Sequence, residues 1–124
     1  MNFAILCLGS NTLDATRILQ ESCAHLIDFA DGETQCSTIY DGPSHNGVGA
    51  DYFNMVIALH TEGNRESLSR YCKKLEEQAG RLSTSKSSGI MPLDIDIVIW
   101  NGDILRPSDY SLPHFTYGYN QLQS

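Results

Sequence analysis

Residues 91–100 read MPLDIDIVIW, and this stretch decides how the rest of the chain is placed. Ile95, Ile97 and Ile99 alternate with Asp94, Asp96 and Val98, the period of two that marks a strand with one apolar face. The two carboxylates therefore point the same way, roughly 6.5–7 Å apart along the strand. They repel each other, and each carries a desolvation cost wherever that face is covered. Either the face is solvated or the pair holds a cation. Mg²⁺ suits such a pair, because a hard ion takes oxygen ligands and completes its shell with water and phosphate oxygens.

Directly after the strand, Asn101-Gly102 is the strongest hairpin signal in the chain and turns DIVIW back into DILRP. Beyond it, SDYSLPHFTYGYNQLQS (108–124) has no clear period. Upstream, RLSTSKSSGIM (81–91) is a polar, Ser-rich connector. It follows a helix with Asn64 as N-cap, Glu66 in the first turn, and Leu68, Tyr71, Cys72, Leu75 and Ala79 as its apolar stripe. Gly80 closes that helix.

Before it, YFNMVIALHT (52–61) alternates again, with Phe53, Met55, Ile57 and Leu59 on one face and Asn54, Val56, Ala58 and His60 on the other. DGPSHNGVGAD (41–51) is a loop by its Gly, Pro and Asn content. QCSTIY (35–40) reads as a strand after the turn DGET (31–34). A helix from about Leu13 to Phe29 presents Leu13, Ile18, Leu19, Leu26 and Ile27, and NFAILCLGS (2–10) is a buried first strand. The order is β-α-β-β-α-β with an added hairpin strand. It predicts an α+β, ferredoxin-like fold over a single domain, 1–124, with the helices on one face of a mostly antiparallel sheet.

With 124 residues and 41% apolar content the chain is long enough for a hydrophobic core. Its net charge is −7, and its eight Lys and Arg are dispersed. No basic stripe is available to release counterions, which excludes a nucleic-acid backbone binder; a polyanionic ligand would need a cation or a local basic cluster. Cys7, Cys23, Cys36 and Cys72 show no zinc spacing and fall on apolar positions, so they read as reduced core thiols. The first residues, MNFAILCLGSN, lack a basic leader and are too short an apolar run to span a membrane, so a soluble, cytoplasmic protein is expected. The sequence leaves the oligomeric state open.

Three further groups stand out. Gly9 and Asn11 lie where the first strand meets a helix, for a tight turn or close backbone approach and for a helix cap. Tyr52 and Asn54 share a strand face, either simply exposed or placed to stack on and hydrogen-bond a flat heterocycle. Arg81 follows a helix end, as a dipole partner or a phosphate ligand.

Together LGSN (8–11), DYFN (51–54), LEEQAGR (75–81), LDIDI (93–97) and LPHF (112–115) come in an order and at separations that resemble the 6-hydroxymethyl-7,8-dihydropterin pyrophosphokinase family. The resemblance covers essentially the whole chain. It implies Mg-dependent transfer of pyrophosphate from ATP to a pterin alcohol in folate synthesis, with ATP and the pterin as small-molecule partners. By that resemblance Asp94 and Asp96 hold two Mg²⁺ ions that bridge the ATP phosphates. Asn54 bonds the pterin amide edge, Tyr52 stacks on the ring, and the loop at Gly42 and Pro43 adds backbone contacts. Glu76 and His114 match positions that contact ATP, Ile97 lies at the adenine, and Arg81 and Lys86 are the basic residues of the catalytic loop.

The chain also departs from the family pattern. Ser88 stands for an aromatic residue and Met91 for the second catalytic arginine. After LPHF, Asn120 and Leu122 stand where an arginine and a ring are usual, with Tyr117 or Tyr119 as candidate replacements for the ring. The family's C-terminal helical portion is missing from the pattern. These departures keep two other readings open, a homologue that binds pterin or nucleotide without catalysis and a ferredoxin-like regulatory or interaction module.

Overall fold

A computed structural model describes residues 1–42 and 50–123. The elements in chain order are β1 (Asn2–Ser10), α1 (Ala15–Phe29), β2 (Gln35–Cys36), β3 (Tyr40–Gly42), β4 (Tyr52–Thr61), α2 (Arg65–Gln78), α3 (Ser85–Ser88), β5 (Asp94–Trp100), β6 (Asp103–Ile104), α4 (Pro107–Tyr110) and α5 (Pro113–Gln123). They form an α+β fold built on one six-stranded antiparallel sheet of order β2-β4-β1-β5-β6, with β3 also pairing β4. Among the described residues no helix is long and apolar enough to cross a membrane.

Strand alternation splits the apolar residues into two cores. Leu6, Leu8, Met55, Ile57, Leu59 and Ile95 point to one face, where Leu19 and Leu26 of α1 and Leu68, Cys72 and Leu75 of α2 cover them. Ile5, Cys7, Val56, Ala58, Val98 and Ile99 point to the other face, where they close around Phe115 of α5. The expectation of helices on one face is corrected by this last helix. Its stripe is Phe115, Tyr119 and Leu122, at i, i+4 and i+7, interrupted in sequence by Gly118. A Cβ on Gly118 would come within 2.6 Å of Tyr40 Oη and 2.7 Å of Val56 Cγ2. The residue that breaks the helical signal is thus the one that lets the helix backbone touch the sheet.

Other local readings are corrected for equally physical reasons. In β5 the register slips against β1, Leu6 facing Ile97 and Ile5 facing Ile99. Val98 is the extra residue of a bulge, so Ile99 joins Val98 in the second core instead of lying with Ile95 and Ile97. The strand expected over 35–40 is broken at Ser37, whose backbone N–H donates to Val56 O while its Oγ accepts from Val56 N–H at 2.8 Å. A side chain there takes a place in the ladder. Helix α1 begins at Ala15; Leu13 is fully exposed and Ile27 half-exposed, and the buried stripe is Ala15, Leu19, Ser22 and Leu26. The connector 81–91 contains the short helix α3.

The punctuation holds where turn chemistry is strict. Asn64 Oδ1 accepts from Ser67 N–H at 2.8 Å, a cap typically worth about 1 kcal/mol. Gly80 takes a φ of 100° just past α2, and Asn101 and Gly102 turn with φ of 49° and 86°. The thiols divide: Cys7 and Cys72 are buried, but Cys23 is half-buried and Cys36 exposed, which corrects the expectation of four core thiols.

Candidate active site

Three neighbouring strands build the site on the face that carries α5. Gly9 of β1 sits between Asn54 of β4 and Asp94 of β5, and Cys7 sits between Val56 and Asp96 in the next row with that orientation. Gly9 has no side chain to fill its place. A Cβ there would lie 3.2 Å from Asn54 Oδ1 and 3.2 Å from Tyr52 Cδ2. The missing side chain leaves the floor of a cleft of about 250 Å³, with Tyr52 and Asn54 on one side, Asp94 and Asp96 on the other, and Arg106, Asp109 and His114 also lining it. Gly9 therefore serves close approach.

Asn54 is the informative wall. Its side chain is 4% exposed, and its Nδ2 has no hydrogen-bond partner among the described residues. An orphaned buried donor costs about 1–3 kcal/mol, which a ligand carbonyl or ring nitrogen removes. Gly42 pairs with Tyr52 beside it, and a Cβ on Gly42 would be 3.8 Å from the same nitrogen. Pro43 lies outside the described residues. Burial, and then the charge of Asp94, raise the Tyr52 hydroxyl above its ordinary value, so the ring is neutral.

The aspartates border a second, more open cavity of about 660 Å³ along the outer side of β5, lined also by Glu76, Arg81, Lys86, Ile97, Leu105 and Arg106. Each aspartate is faced by an arginine. Arg81 Nη1 bonds Glu76 Oε2 at 2.7 Å and Asp94 Oδ1 at 3.1 Å, and Glu76 Oε2 also accepts from Ile95 N–H at 2.8 Å. On the other side Arg106 Nε bonds Asp109 Oδ2 at 2.5 Å and lies 3.6 Å from Asp96 Oδ1. Asp109 Oδ1 in turn meets His114 Nε2 at 2.9 Å.

These charges are unevenly balanced. Burial, with the Asp94 charge added, pushes Asp96 up to about 7, and Arg106 only partly opposes it. Burial also raises Glu76, against the Ile95 amide and Arg81. At Asp109 burial acts upward, but the bonds from Arg106 and His114 outweigh it and the carboxyl lies below its ordinary value. Asp94 and Asp96 thus form an oxygen-only donor pair in which Arg81 bonds Asp94 while Arg106 balances Asp96 only in part. Two carboxylates with room beside them fit Mg²⁺, which draws its remaining ligands from water and phosphate. Among the described residues no group of three or more His, Cys, Asp or Glu is arranged as a metal cage.

The structure brings most of the sequence-derived candidates together. Tyr52, Asn54, Asp94, Asp96, Lys86 and His114 line the smaller cleft; Glu76, Arg81 and Ile97 line the larger cavity, which shares Lys86 and both aspartates. His114 lines the smaller cleft and not the larger cavity that holds Glu76 and Ile97. Asn11 does not cap α1: its Oδ1 accepts from Met91 N–H at 2.6 Å and its Nδ2 donates to Gly89 O at 2.7 Å. It pins the segment that enters β5. Met91 is buried at that point. Tyr119 stacks on Phe115 and Leu122 packs in the second core, while Tyr117 leans on Tyr40.

Arg106 and Asp109 were not singled out from sequence. The available signal was RPSD (106–109), in which Pro107 opens a helical turn and places Arg and Asp three residues apart.

A family model described as 7,8-dihydro-6-hydroxymethylpterin-pyrophosphokinase (HPPK) matches residues 5–121. The chain is 28% identical over 119 residues to the folic acid synthesis protein FOL1 of Dictyostelium discoideum, covering 91% of this chain and 17% of that protein. It is 27% identical over 108 residues to the 2-amino-4-hydroxy-6-hydroxymethyldihydropteridine pyrophosphokinase of Aquifex aeolicus, covering 86% and 66%. It is 25% identical over 111 residues to the folate synthesis bifunctional protein of Arabidopsis thaliana, covering 89% and 23%. The chain thus spans about two thirds of the Aquifex protein and less than a quarter of the other two.

Proposed function

The chain belongs to the 7,8-dihydro-6-hydroxymethylpterin-pyrophosphokinase family, and from that premise we propose that it transfers pyrophosphate from ATP to 6-hydroxymethyl-7,8-dihydropterin. The observation that carries this reading is the Nδ2 of buried Asn54, without a hydrogen-bond partner among the described residues, beside the Tyr52 ring and on the wall opposite a carboxylate pair. A flat heterocycle with a carbonyl edge answers that donor and covers the ring. The aspartates stand between this cleft and the larger cavity, so one ligand on each side meets at their carboxylates.

In this reading the pterin occupies the smaller cleft, held by Asn54, Tyr52 and the chain at Gly42. ATP occupies the larger cavity, with its base near Ile97 and Glu76 and its phosphates toward Asp94 and Asp96. Mg²⁺ held by those carboxylates supplies charge neutralisation and polarisation at the phosphates. Arg81 and Arg106 then turn from the aspartates to phosphate oxygens, which charge-assisted guanidinium bonds recognise well. Arg106 supplies the second guanidinium that Met91 does not. Asp109, held between Arg106 and His114, orients both. Gly9 keeps the floor open so that the pterin hydroxyl comes into line with the phosphorus.

The test is formation of AMP from Mg-ATP, dependent on the pterin, with an Asp94→Asn/Asp96→Asn variant as control. Turnover lost in the variant supports the reading; a folded wild-type chain that binds neither substrate overturns it. The burial of apolar Met91 in the catalytic loop favours a second reading, binding without transfer. Calorimetric binding of both substrates with no AMP formed would select it.

A further inference from the structure

Away from the cleft, the sulfurs of Cys23 on α1 and Cys36 on β2 lie 3.0 Å apart, although 13 positions separate them in sequence. The fold causes the meeting. Helix α1 packs over the first core, and β2 pairs with Ile57 and Ala58 of β4 at the margin of that same face. Cys36 is exposed and Cys23 half-buried, whereas Cys7 and Cys72 are 5% and 4% exposed. A small oxidant reaches the first pair and is shut off from the other two.

We propose that Cys23 and Cys36 form a modification site, a dithiol that a glutathione-type disulfide converts into an intramolecular disulfide joining α1 to β2. The geometry needs little change, since a bond of about 2.05 Å requires the two sulfurs to close by roughly 1 Å. The chemistry is also prepared. The hydrogen bond shared with Cys36 draws the Cys23 thiol down to about 7 against the effect of burial, while burial drives Cys7 and Cys72 upward. A lowered thiol favours the thiolate, the form that attacks a disulfide.

The steps balance as two exchanges. The Cys23 thiolate attacks one sulfur of the oxidised disulfide, forming a mixed disulfide and expelling one thiolate. Cys36 loses its proton and attacks the Cys23 sulfur, forming the protein disulfide and expelling the second thiolate. Two protein thiols give up two electrons and two protons, and the oxidant becomes two thiols. The product ties a two-residue edge strand to the first core. It closes the turn at Asp31, which is otherwise held by bonds to His60, Thr61 and Glu62.

The test equilibrates the reduced full chain in glutathione buffers of graded oxidation, blocks the remaining thiols, and maps the peptides. The expected product is a monomer lighter by two hydrogens, with Cys23 and Cys36 in one cross-linked peptide, Cys7 and Cys72 as thiols, and full reversal by dithiothreitol. Its melting temperature is expected to rise on the order of 5 °C. The Cys23→Ser variant should instead stop at a glutathione adduct on Cys36. A persistent adduct on the wild-type chain, an intermolecular dimer, or four free thiols in buffers that oxidise an unstructured dithiol peptide would overturn the proposal. The mapping needs only the wild-type chain, so a variant that folds poorly does not weaken it.

Discussion

The two faces of the sheet are built from the same strands and obey different rules. On the face under α1 and α2, side chains from Leu6, Leu8, Met55, Ile57, Leu59 and Ile95 meet helix residues throughout. On the other face the rows change character within two residues. Ile5, Val56 and Val98 pack around Phe115, and the next positions along the same strands are Cys7, Asn54 and Asp96, opening into the cleft. An uninterrupted core can bury everything it touches. A half-core that stops short leaves buried polar groups at its margin, where a ligand is needed to satisfy them.

The largest effect should come from removing the charge at that margin. Asp94→Asn/Asp96→Asn is expected to lower AMP formation by at least about 10²–10³-fold, Mg²⁺ should no longer raise the melting temperature, and Asp96→Asn alone should not lower thermal stability. The stability half follows from sign. The folded value of Asp96, about 7, lies above its ordinary 3.8, so the folded state binds more protons than the unfolded state between them. Asp96 therefore removes stability from the metal-free chain as pH rises from about 4 to 7, at most a few kcal/mol. Denaturant melts at the two pH values should show this slope in the wild type and a flatter one in Asp96→Asn. An equal slope in both would place the repulsion elsewhere.

Next comes the core half of the same face. Phe115 is fully buried, and Phe115→Ala should cost about 3–5 kcal/mol. Leu68→Ala on the other face should cost a similar about 2–5 kcal/mol. Urea titration measures both, and activity per folded molecule separates them. Loss at Phe115 loosens α5 and with it His114, next in the chain, so turnover should fall. Loss at Leu68 should leave turnover of the folded fraction near wild type. Equal activities would mean that α5 is scaffold only.

This division also explains what was legible in the sequence. The strand period of β4, the Asn64 cap, Gly80 and Asn101-Gly102 are local chemistry, and they read correctly. The pairing of Asp94 and Asp96 on one strand face, and of Tyr52 and Asn54 on another, was equally visible. That Gly9 joins the two pairs across three strands was not, because register is a tertiary fact. Ile99 misled because one bulged residue, Val98, inverts everything after it. Helix α5 was hidden by Gly118, whose value lies in a contact with Tyr40 and Val56 that no local pattern encodes. Arg106 was hidden with it, since its partners are Asp96 and Asp109 and the segment around it lacked a period.

A smaller effect is expected from Arg106→Gln. Loss of one guanidinium from a phosphate site should reduce kcat/KM for ATP by roughly tenfold to hundredfold. Pterin affinity, measured by fluorescence titration, should stay within about twofold. Arg106→Lys should recover part of the loss, because it restores charge without the fork. If both substrates weaken equally, Arg106 acts by holding Asp109 and His114 in place rather than by meeting phosphate.

The finest discrimination comes from two glycines on this one face. Alanine at Gly118 would put its Cβ 2.6 Å from Tyr40 Oη, and Tyr40 is fixed by its bonds to His114 O at 2.7 Å and Gly118 N–H at 3.2 Å. Something in the core must shift, at about 1–3 kcal/mol, against a gain of about 1 kcal/mol in helix propensity. Gly118→Ala should therefore lose about 0–2 kcal/mol of stability with little change in pterin affinity. Alanine at Gly9 meets only side chains, Asn54 and Tyr52 at 3.2 Å, and its φ is not in the left-handed region. Those neighbours border an open cleft and can yield by a few tenths of an ångström, so stability should stay within about 0.5 kcal/mol of wild type. The space they yield into is the space proposed for the pterin ring, and pterin affinity should fall several-fold, by roughly 1 kcal/mol. A Gly9→Ala chain that lost stability and kept its affinity would show that the glycine serves the core after all, and that the boundary between the two halves lies one row further along the strands.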